Sequence, residues 1–141
     1  MKKYILVLLA ILVASCFHSD RKKFIYTVQN ISSKPIKIKA INQDHPNTLP
    51  NIINLDVGQK LTKFYEDDSP NTTYGFRQFF EGDKLIIIYN NEKYIIFTFG
   101  TFDDGNSNNP FNRSVYYRAE ETYVVKDEYF TNAIPCDANC D

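Results

Sequence analysis

From Phe24 onward, apolar and polar residues alternate with period two, the pattern of β-strands that have one buried and one polar face. Three segments show the alternation clearly, with apolar residues at every second position: Phe24, Tyr26 and Val28; Ile36, Ile38 and Ala40; and Ile53, Leu55 and Val57. Lys37 and Lys39 fill the gaps of the second set. The pattern therefore predicts half-buried antiparallel strands in these segments, joined by polar turns such as residues 32–35.

The clearest hairpin signal lies at residues 85–99, after Gly82-Asp83. Two apolar runs, residues 85–89 and 94–99, flank the turn sequence Asn90-Asn91-Glu92-Lys93. Asparagine tolerates the positive φ that tight hairpin turns require. Because both runs are apolar at consecutive positions, we expect their strands to be central in a sheet and covered on both faces.

The remaining segments complete an all-β pattern. Further strands are predicted at residues 60–65, 72–80, 114–118 and 122–125, the last two forming a pair around Glu120-Glu121. Asp127 is predicted to cap a single helical turn that ends near Ala133. Roughly eight or nine short strands indicate an antiparallel β-sandwich, of which an immunoglobulin-like arrangement is one form. The chain has no tryptophan, so the Cys–Trp–Cys signature of true immunoglobulin domains is not available.

Residues 1–16 follow a different pattern. Lys2-Lys3 precedes an uncharged apolar run at residues 4–12, which ends in Val13-Ala14-Ser15-Cys16. This arrangement resembles the lipobox of bacterial lipoprotein signals. The resemblance implies cleavage between Ser15 and Cys16, a diacylglyceryl thioether on Cys16 and, usually, a further acyl chain on the new amino terminus.

Two other interpretations of this segment are weaker. A plain secretory signal would leave the Cys16 thiol unpaired in an exported chain that has three cysteines. A membrane-spanning helix needs about 20 apolar residues, more than this run supplies. We therefore expect a helical signal peptide at residues 1–15, a lipidated tether at 16–23 and one β-sandwich domain at 24–141. The acyl chains hold the protein to the membrane, and no cofactor is expected beyond the covalent lipid on Cys16.

The residue after the acylated cysteine bears on location. It is Phe17 and not aspartate, which by resemblance to the usual sorting pattern implies transfer to the outer membrane. The low-charge composition, rich in asparagine, isoleucine and tyrosine, resembles that of small lipoproteins of Bacteroidota-type bacteria. The resemblance implies that an acidic stretch just after the cysteine would mark export to the cell surface. Here Asp20 is the only acidic residue before Arg21-Lys22-Lys23. We therefore expect a lipid-anchored protein of the bacterial envelope, at the outer membrane and facing the periplasm.

The other two cysteines form a matched pair. With Cys16 acylated, Cys136 and Cys140 remain, and an oxidising compartment favours a disulfide between them. Their C-x-x-x-C spacing differs from the redox C-x-x-C motif. Two ligands with no histidine nearby do not complete a zinc site. We predict a small disulfide loop, which limits fraying but contributes little to the stability of the fold because it closes few residues.

Composition narrows the classes of partner. Loss of Lys2 and Lys3 takes the balance from 16 basic and 17 acidic side chains to 14 and 17, a weak and mixed charge. Without a basic patch, nucleic acid is excluded as a partner. The length after the signal fits one domain.

The sequence offers no convincing catalytic constellation. Of its two histidines, His18 lies in the tether and His45 in a predicted turn, where an exposed position is expected. No serine lies in a G-x-S-x-G motif, and no thiol remains beside a base. Acidic runs such as Glu120-Glu121 are interpreted as solvated turns, although the two acids of a glycosidase can be far apart in sequence. We therefore expect a protein that is not an enzyme.

One loop concentrates the hard oxygen ligands that suit calcium. It reads Asp103-Asp104-Gly105-Asn106-Ser107-Asn108-Asn109. In an EF-hand register from Asp104, Asn109 replaces the required glycine and Val115 the bidentate glutamate. A polar loop rich in turn formers is the favoured interpretation. The alternative is a calcium site whose ligands are Asp103, Asp104, Asn106 and Asn108.

Aromatic residues are abundant and allow two interpretations. Tyr74, Phe76, Tyr116 and Tyr117 either form an exposed row that stacks sugars or docks a protein, or they fill the core of a tryptophan-free sandwich. We favour the core, because phenylalanine and tyrosine bury large apolar areas.

Several segments together resemble small Bacteroidota-type lipoproteins with a single β-sandwich. They are the lipobox, the Ile53-x-Leu55-x-x-Gly58-Gln59 turn, the Gly82-Asp83 hairpin and the closing segment at residues 123–133. The resemblance carries over no catalytic residue. The expected function is a non-catalytic envelope lipoprotein that contacts an envelope protein, as an accessory subunit or an immunity-type protein. The alternative is a lipoprotein that binds glycan or calcium.

Overall fold

The computed structural model describes residues 21–67, 74–100, 108–112, 115–116, 118–137 and 140. Its elements are the strands β1 (Lys22–Asn30), β2 (Ile36–Ile41), β3 (Asn51–Leu55), β4 (Lys60–Asp67), β5 (Lys84–Tyr89), β6 (Lys93–Thr98), β7 (Glu120–Val125) and β8 (Ile134–Pro135), and the helices α1 (Phe76–Phe80) and α2 (Asp127–Asn132). The strands form a three-stranded sheet in the order β4-β1-β7 and a five-stranded sheet in the order β3-β2-β5-β6-β8. These two sheets confirm the predicted all-β sandwich. The predicted signal helix lies outside the described residues.

The two sheets share one hydrophobic core. β1 supplies Tyr26 and Val28 from the smaller sheet, while β2 and β5 supply Ile38 and Ile87 from the larger one, each at 1% exposure or less. Burial alternates residue by residue along β2, as its period-two sequence predicts. Full burial of one such side chain contributes about 1.5–3 kcal/mol, so these rows hold the sheets together.

β1 is the centre of the smaller sheet and combines two kinds of pairing. It runs antiparallel to β4 and parallel to β7, with Val28 opposite Leu61 on one side and Tyr123 on the other. The β1–β7 pair departs from the antiparallel pairing that the sequence predicts. The predicted strand at residues 114–118 is wrong, because the amides of Val115 and Tyr116 donate to the Asn112 carbonyl in a turn.

The predicted strand at residues 72–80 is also wrong, because residues 76–80 form α1. Phe79 and Phe80 are both 0% exposed, whereas adjacent residues of a strand point to opposite faces. A helix places Phe76, Phe79 and Phe80 on one side through their i, i+3 and i+4 spacing. Helix α1 ends at Phe80, and Glu81 at its C-cap has a left-handed φ of 59°.

The β5–β6 hairpin confirms the predicted turn. Asn90 and Asn91 have φ values of 47° and 56°. Burial on both faces is confirmed for Ile88 at 0% exposure but is wrong for β6, where Ile96 is 41% exposed. Ile96 is exposed because β6 lies close to the sheet edge. Its outer neighbour, β8, has only two residues.

Two features at the ends of the domain differ from the sequence prediction. β1 begins at Lys22, so Lys22 and Lys23 belong to a strand of the domain and not to the tether. The predicted helical turn forms as α2, but Lys126 and not Asp127 occupies its N-cap position. The Asp127 carboxylate instead accepts hydrogen bonds from the Ser33 amide at 2.8 Å and the Ser33 hydroxyl at 2.9 Å. Asp127 thus joins α2 to the β1–β2 loop.

Candidate functional site

The outer face of the five-stranded sheet carries a row of residues that is apolar except for one lysine. Lys39 of β2 lies opposite both Ile52 of β3 and Ile86 of β5, and Ile86 lies opposite Ile96 of β6. Because directly opposed residues share a face, the order across the sheet is Ile52, Lys39, Ile86, Ile96. Ile52 and Ile96 remain 43% and 41% exposed. We call these three isoleucines, together with Ile134 of β8, the isoleucine face.

A second row runs beside the first. Ile88 pairs with Lys37 and Tyr94, and Tyr94 pairs with Ile134. Ile134 is 53% exposed, whereas Ile88 is 0% exposed although it lies on the outer face and outside the core cluster. Ile88 therefore has a cover that is separate from the core.

The two cysteines of the disulfide near the end of the chain contact the five-stranded sheet. The Cys136 amide donates to the Glu92 carbonyl at 2.9 Å, and Lys39 Nζ donates to the Cys140 carbonyl at 3.4 Å. A disulfide joins Cys136 and Cys140, whose Cα atoms are 5.5 Å apart. The contact at Glu92 lies just before β6 and the contact at Lys39 lies in β2, so the two contacts lie on either side of β5.

A shallow hollow of about 220 Å³ opens at the end of this face, beside the β5–β6 turn. The residues that line it include Leu55, Ile88, Asn54, Asp56 and Asn91. Small-molecule sites usually enclose about 300–1,000 Å³. The hollow is smaller than that range and fits one side chain of a partner.

The turn beside the hollow holds a small charged network. Glu92 Oε1 accepts hydrogen bonds from Asn90 Nδ2 at 2.7 Å and from Lys34 Nζ at 3.2 Å. These two contacts, the Asn90 bond first, lower the pKa of the Glu92 carboxyl. The carboxylate therefore stays ionised and helps to fix the shape of the turn that borders the hollow.

In the described part of the chain, the other groups with shifted pKa values are buried or partly buried phenols. Burial raises the pKa of Tyr65 and of Tyr116 to about 12 and raises the pKa of Tyr123 well above its ordinary value. A general acid or base works best with a pKa near the operating pH, so these shifts move the phenols away from catalysis. Among the described residues, no three His, Cys, Asp or Glu side chains lie close enough together to hold a metal.

The predicted lipidation site and calcium loop fall largely outside the described residues. Ser15, Cys16, Asp103, Asp104 and Asn106 lie there, while Asn108 is half-buried in a turn. The neighbouring Asn109 is 2% exposed, and its Oδ1 accepts a hydrogen bond from the Phe111 amide at 3.0 Å. The Asn109 side chain thus stabilises the turn that contains it.

For the aromatic residues, the core interpretation is confirmed where they are described. Phe76 is 2% exposed, and its ring centroid lies 5.3 Å from those of Tyr26 and Tyr116. Tyr74 and Tyr116 pack against the core cluster, and Tyr117 lies outside the described residues. His45 is exposed in its turn, as the sequence predicts.

Consecutive isoleucines in the sequence indicate the isoleucine face, which period-two alternation alone does not predict. Period-two alternation predicts one apolar face per strand, and on β2 the other face carries lysines. On β5 and β6, however, the consecutive residues Ile86-Ile87-Ile88 and Ile95-Ile96 supply apolar side chains to both faces. An uninterrupted isoleucine run in a half-covered sheet is the feature that indicates an exposed apolar surface.

Comparison with known proteins finds no family model, no curated protein and no solved structure that matches this chain. Within the described residues, no helix has the length and apolar character needed to cross a bilayer. The functional argument therefore rests on the residues and their contacts.

Proposed function

We propose that this protein is a membrane-anchored lipoprotein of the bacterial envelope, without catalytic activity, that contacts a protein partner through the isoleucine face. The observation that carries the proposal is the exposure of three isoleucines on one side of one sheet, at 43% for Ile52, 41% for Ile96 and 53% for Ile134. Grouped exposed apolar side chains mark interaction sites. An accessory subunit of an envelope complex and an immunity-type protein would both use such a face.

The shape of this surface supports a protein partner over a small molecule. A sheet face is broad and shallow, whereas small ligands are enclosed in concave sites. The hollow of about 220 Å³ at its end suits one anchoring side chain, and protein interfaces concentrate their binding energy in a few such anchors. Asn54 and Asp56 at the hollow supply an amide and a carboxylate for hydrogen bonds.

The anchor in this proposal is the lipid on Cys16. Each buried CH₂ group contributes about 0.8 kcal/mol, and a single acyl chain holds a protein only weakly to a membrane. Two or three chains on Cys16 would make attachment stable. We expect Cys16→Ala to abolish fatty-acid labelling in cells. Label that persists in this variant contradicts the anchor and leaves the partner contact as a separate question.

Affinity capture from detergent-solubilised envelopes tests the partner contact. The native acylated protein is compared with an Ile52→Asp/Ile96→Asp variant, which places two charges on the isoleucine face. Leu49→Asp/Val57→Asp is the matched control, because Leu49 and Val57 are 93% and 55% exposed and lie outside the strands. We expect one near-stoichiometric partner with the native and control proteins and its loss with the face variant. Equal capture by all three proteins, or by none, contradicts the proposal.

A further inference from the structure

β4 leaves one side of the three-stranded sheet open. It is an eight-residue strand at the sheet edge, and β1 is its one neighbour among the described strands. Near its centre, Phe64 is 73% exposed. A long edge strand with an exposed apolar side chain is a template for pairing with another strand.

The direction of the backbone groups in β1 fixes which residues of β4 face this edge. The Asn30 amide donates to the Gln59 carbonyl, just before β4, at 2.9 Å, and the Ile25 amide donates to the Ala119 carbonyl, just before β7, at 2.7 Å. Backbone groups alternate in direction along a strand. The even-numbered residues of β1 therefore bond toward β4 and the odd-numbered ones toward β7.

The same alternation applies to β4. Tyr26 of β1 lies opposite Lys63 of β4, so the odd-numbered residues of β4 bond to β1. The amides and carbonyls of Thr62, Phe64 and Glu66 consequently point to the open edge. The side chain of Phe64 and the hydrogen-bonding groups of its own backbone are thus both available to an added strand.

The charges along β4 complement those of a second β4 strand that runs the opposite way. Lys60 and Lys63 lie in its first half, and Glu66 and Asp67 lie in its second half. Antiparallel pairing of two copies sets the first half of each strand beside the second half of the other. With the two-fold axis at Phe64, the two phenylalanines are directly opposed. Lys60 then lies diagonal to Glu66 of the partner subunit, within reach of its long side chain.

Other registers lose this match. An axis at Glu66 sets two carboxylates opposite each other, and an axis at Lys63 does the same with two ammonium groups, both of which are unfavourable. An axis at Thr62 or Tyr65 separates the two phenylalanines. The register centred on Phe64 is therefore the one that combines aromatic contact with opposite charges.

We propose that two copies of this chain associate through β4, in antiparallel pairing about a two-fold axis at Phe64. The two smaller sheets then form one six-stranded sheet in the order β7-β1-β4-β4-β1-β7. This contact belongs to the opposite sheet from the isoleucine face, so it does not depend on the proposed protein partner. Attachment of both copies to one membrane would raise their effective concentration to the millimolar scale, where a weak contact suffices.

The test uses a chain of residues 16–141 with Cys16→Ala. Every buried hydrophobic residue of the described core lies between Tyr26 and Ala133, so this chain keeps that core. Sedimentation velocity is measured from about 1 μM to about 1 mM, with circular dichroism as the check on folding. We expect a concentration-dependent dimer and a Kd at least about tenfold higher for Phe64→Asp, which opposes two carboxylates. The control Ile96→Asp, on the other sheet, should leave the Kd unchanged.

Phe64→Cys in the same chain tests the register. Opposed residues that exchange backbone hydrogen bonds have Cα atoms about 5.5 Å apart, within disulfide range. A thiol oxidant such as diamide should link the two introduced thiols. Thr62→Cys should stay unlinked, because Thr62 faces Glu66 of the partner subunit. Sedimentation as a monomer at every concentration overturns the proposal, and so does failure of the residue 64 thiols to link, or equal linking of both variants.

Discussion

The side-chain amide of Asn30 donates to the main-chain carbonyl of Leu55 at 3.1 Å and so ties the end of β1 in one sheet to the end of β3 in the other. The same nitrogen lies 2.9 Å from the Lys34 carbonyl and 3.2 Å from the Asp56 carbonyl. The Asn30 Oδ1 accepts from the Ser32 amide at 3.0 Å and from the Ser32 hydroxyl at 2.6 Å. Asn30 is 0% exposed, so one buried side-chain amide provides hydrogen-bond partners for the main-chain groups of the turns at this end of the sandwich.

We expect Asn30→Ala to lower the free energy of unfolding by about 3 kcal/mol. Each buried polar group left without a partner costs about 1–3 kcal/mol, and the substitution leaves several main-chain groups without theirs. Urea unfolding followed by circular dichroism measures the change. Asn54→Ala is the control, because Asn54 is exposed on β3 and its substitution should change stability by less than about 0.5 kcal/mol. Equal effects of the two substitutions would contradict the structural role of Asn30.

Phe76 is the aromatic centre of the core and should be the most sensitive position of α1. Its ring contacts those of Tyr26 and Tyr116, each at a centroid distance of 5.3 Å, and that of Tyr123 at 5.9 Å. We expect Phe76→Ala to lower the free energy of unfolding by about 3–5 kcal/mol through lost burial and the cavity that remains. Thermal unfolding and urea titration measure it.

The matched control for Phe76 is Phe64→Ala in dilute solution, since Phe64 is 73% exposed. We expect its effect to lie within about 0.5 kcal/mol. A Phe76→Ala protein as stable as the Phe64→Ala protein would show that α1 does not pack in the core as described.

Removal of the hydroxyl should affect the free energy of unfolding differently at the two buried tyrosines Tyr123 and Tyr26. Tyr123 is 0% exposed, and no described residue forms a hydrogen bond with its hydroxyl. Tyr26 donates instead to the Tyr74 carbonyl at 3.0 Å, with the Arg118 carbonyl at 3.2 Å. We expect Tyr123→Phe to leave stability unchanged or raise it by about 1 kcal/mol, because an unpaired buried hydroxyl carries a desolvation cost. Tyr26→Phe should lower stability by about 1 kcal/mol.

Urea unfolding of both variants distinguishes these two expectations. A loss of stability for Tyr123→Phe as large as that for Tyr26→Phe would contradict the absence of a partner for the Tyr123 hydroxyl among the described residues.

Two other tyrosines, Tyr65 and Tyr116, make the stability of the fold sensitive to alkali. Burial raises the pKa of Tyr65 and of Tyr116 from 10.0 to about 12, with smaller contributions from Glu81 at Tyr65 and from Tyr129 at Tyr116. In the unfolded chain these groups lose their protons near pH 10, while the folded chain keeps them. Above that pH the unfolded state binds fewer protons, so stability falls as pH rises. The contribution is complete below about pH 10 and is lost as pH rises through about 12.

Urea unfolding at a series of pH values measures this loss, and ultraviolet absorbance of the phenolate follows the titration. We expect part of the phenolate signal to appear only as the protein unfolds. Titration of all tyrosines near their ordinary pKa while the circular dichroism spectrum stays native would contradict the burial of Tyr65 and Tyr116.

Local features of this fold were predictable because they depend on neighbouring residues. The alternation at Ile36, Ile38 and Ala40 gives the burial of β2, since successive side chains of a strand point to opposite faces. The pair Asn90-Asn91 gives the β5–β6 turn, because asparagine adopts positive φ at low cost. In both cases the physical cause lies within a few residues of its effect.

Features that depend on distant contacts were not predictable in this way. The parallel pairing of Ile25 with Glu120 joins strands far apart in the chain, and nothing in either segment specifies it. Tyr74-Gly75-Phe76 is compatible with a strand by alternation. Helix α1 forms because the core accepts Phe79 and Phe80 together, which is a property of the space between the sheets. Tertiary packing here overrides the local pattern.

The candidate site illustrates the same division. The isoleucine run of β5 indicates an apolar outer face, but the sequence does not say which part of that face is covered. The structure shows Ile88 fully buried and Ile96 41% exposed on the same side of the sheet. Contacts between residues far apart in sequence, such as those of Cys136 with Glu92 and of Lys39 with Cys140, form on this sheet and leave no local signal in the sequence.

Gly82 precedes β5 at a point where the backbone of β2 leaves no room for a side chain. A Cβ at this position would lie 2.8 Å from the Ile41 carbonyl oxygen and 3.0 Å from the Ile41 nitrogen. The obstacle is main chain and cannot rotate away. The Asp83 amide also donates to the Ile41 carbonyl at 3.0 Å, so a shift that relieves the contact disturbs this bond. We expect Gly82→Ala to lower the free energy of unfolding by about 1–3 kcal/mol, the usual range for overpacking.

Gly75→Ala is the control for Gly82→Ala. The nearest atom to a Cβ at Gly75 is Gln78 Oε1 at 3.8 Å, an ordinary contact with a flexible side chain, and the φ of Gly75 is −174°, which any residue adopts. We expect a change of less than about 0.5 kcal/mol in the same urea titration. If alanine is tolerated equally well at both positions, β2 and the turn before β5 do not approach each other as closely as the structure shows.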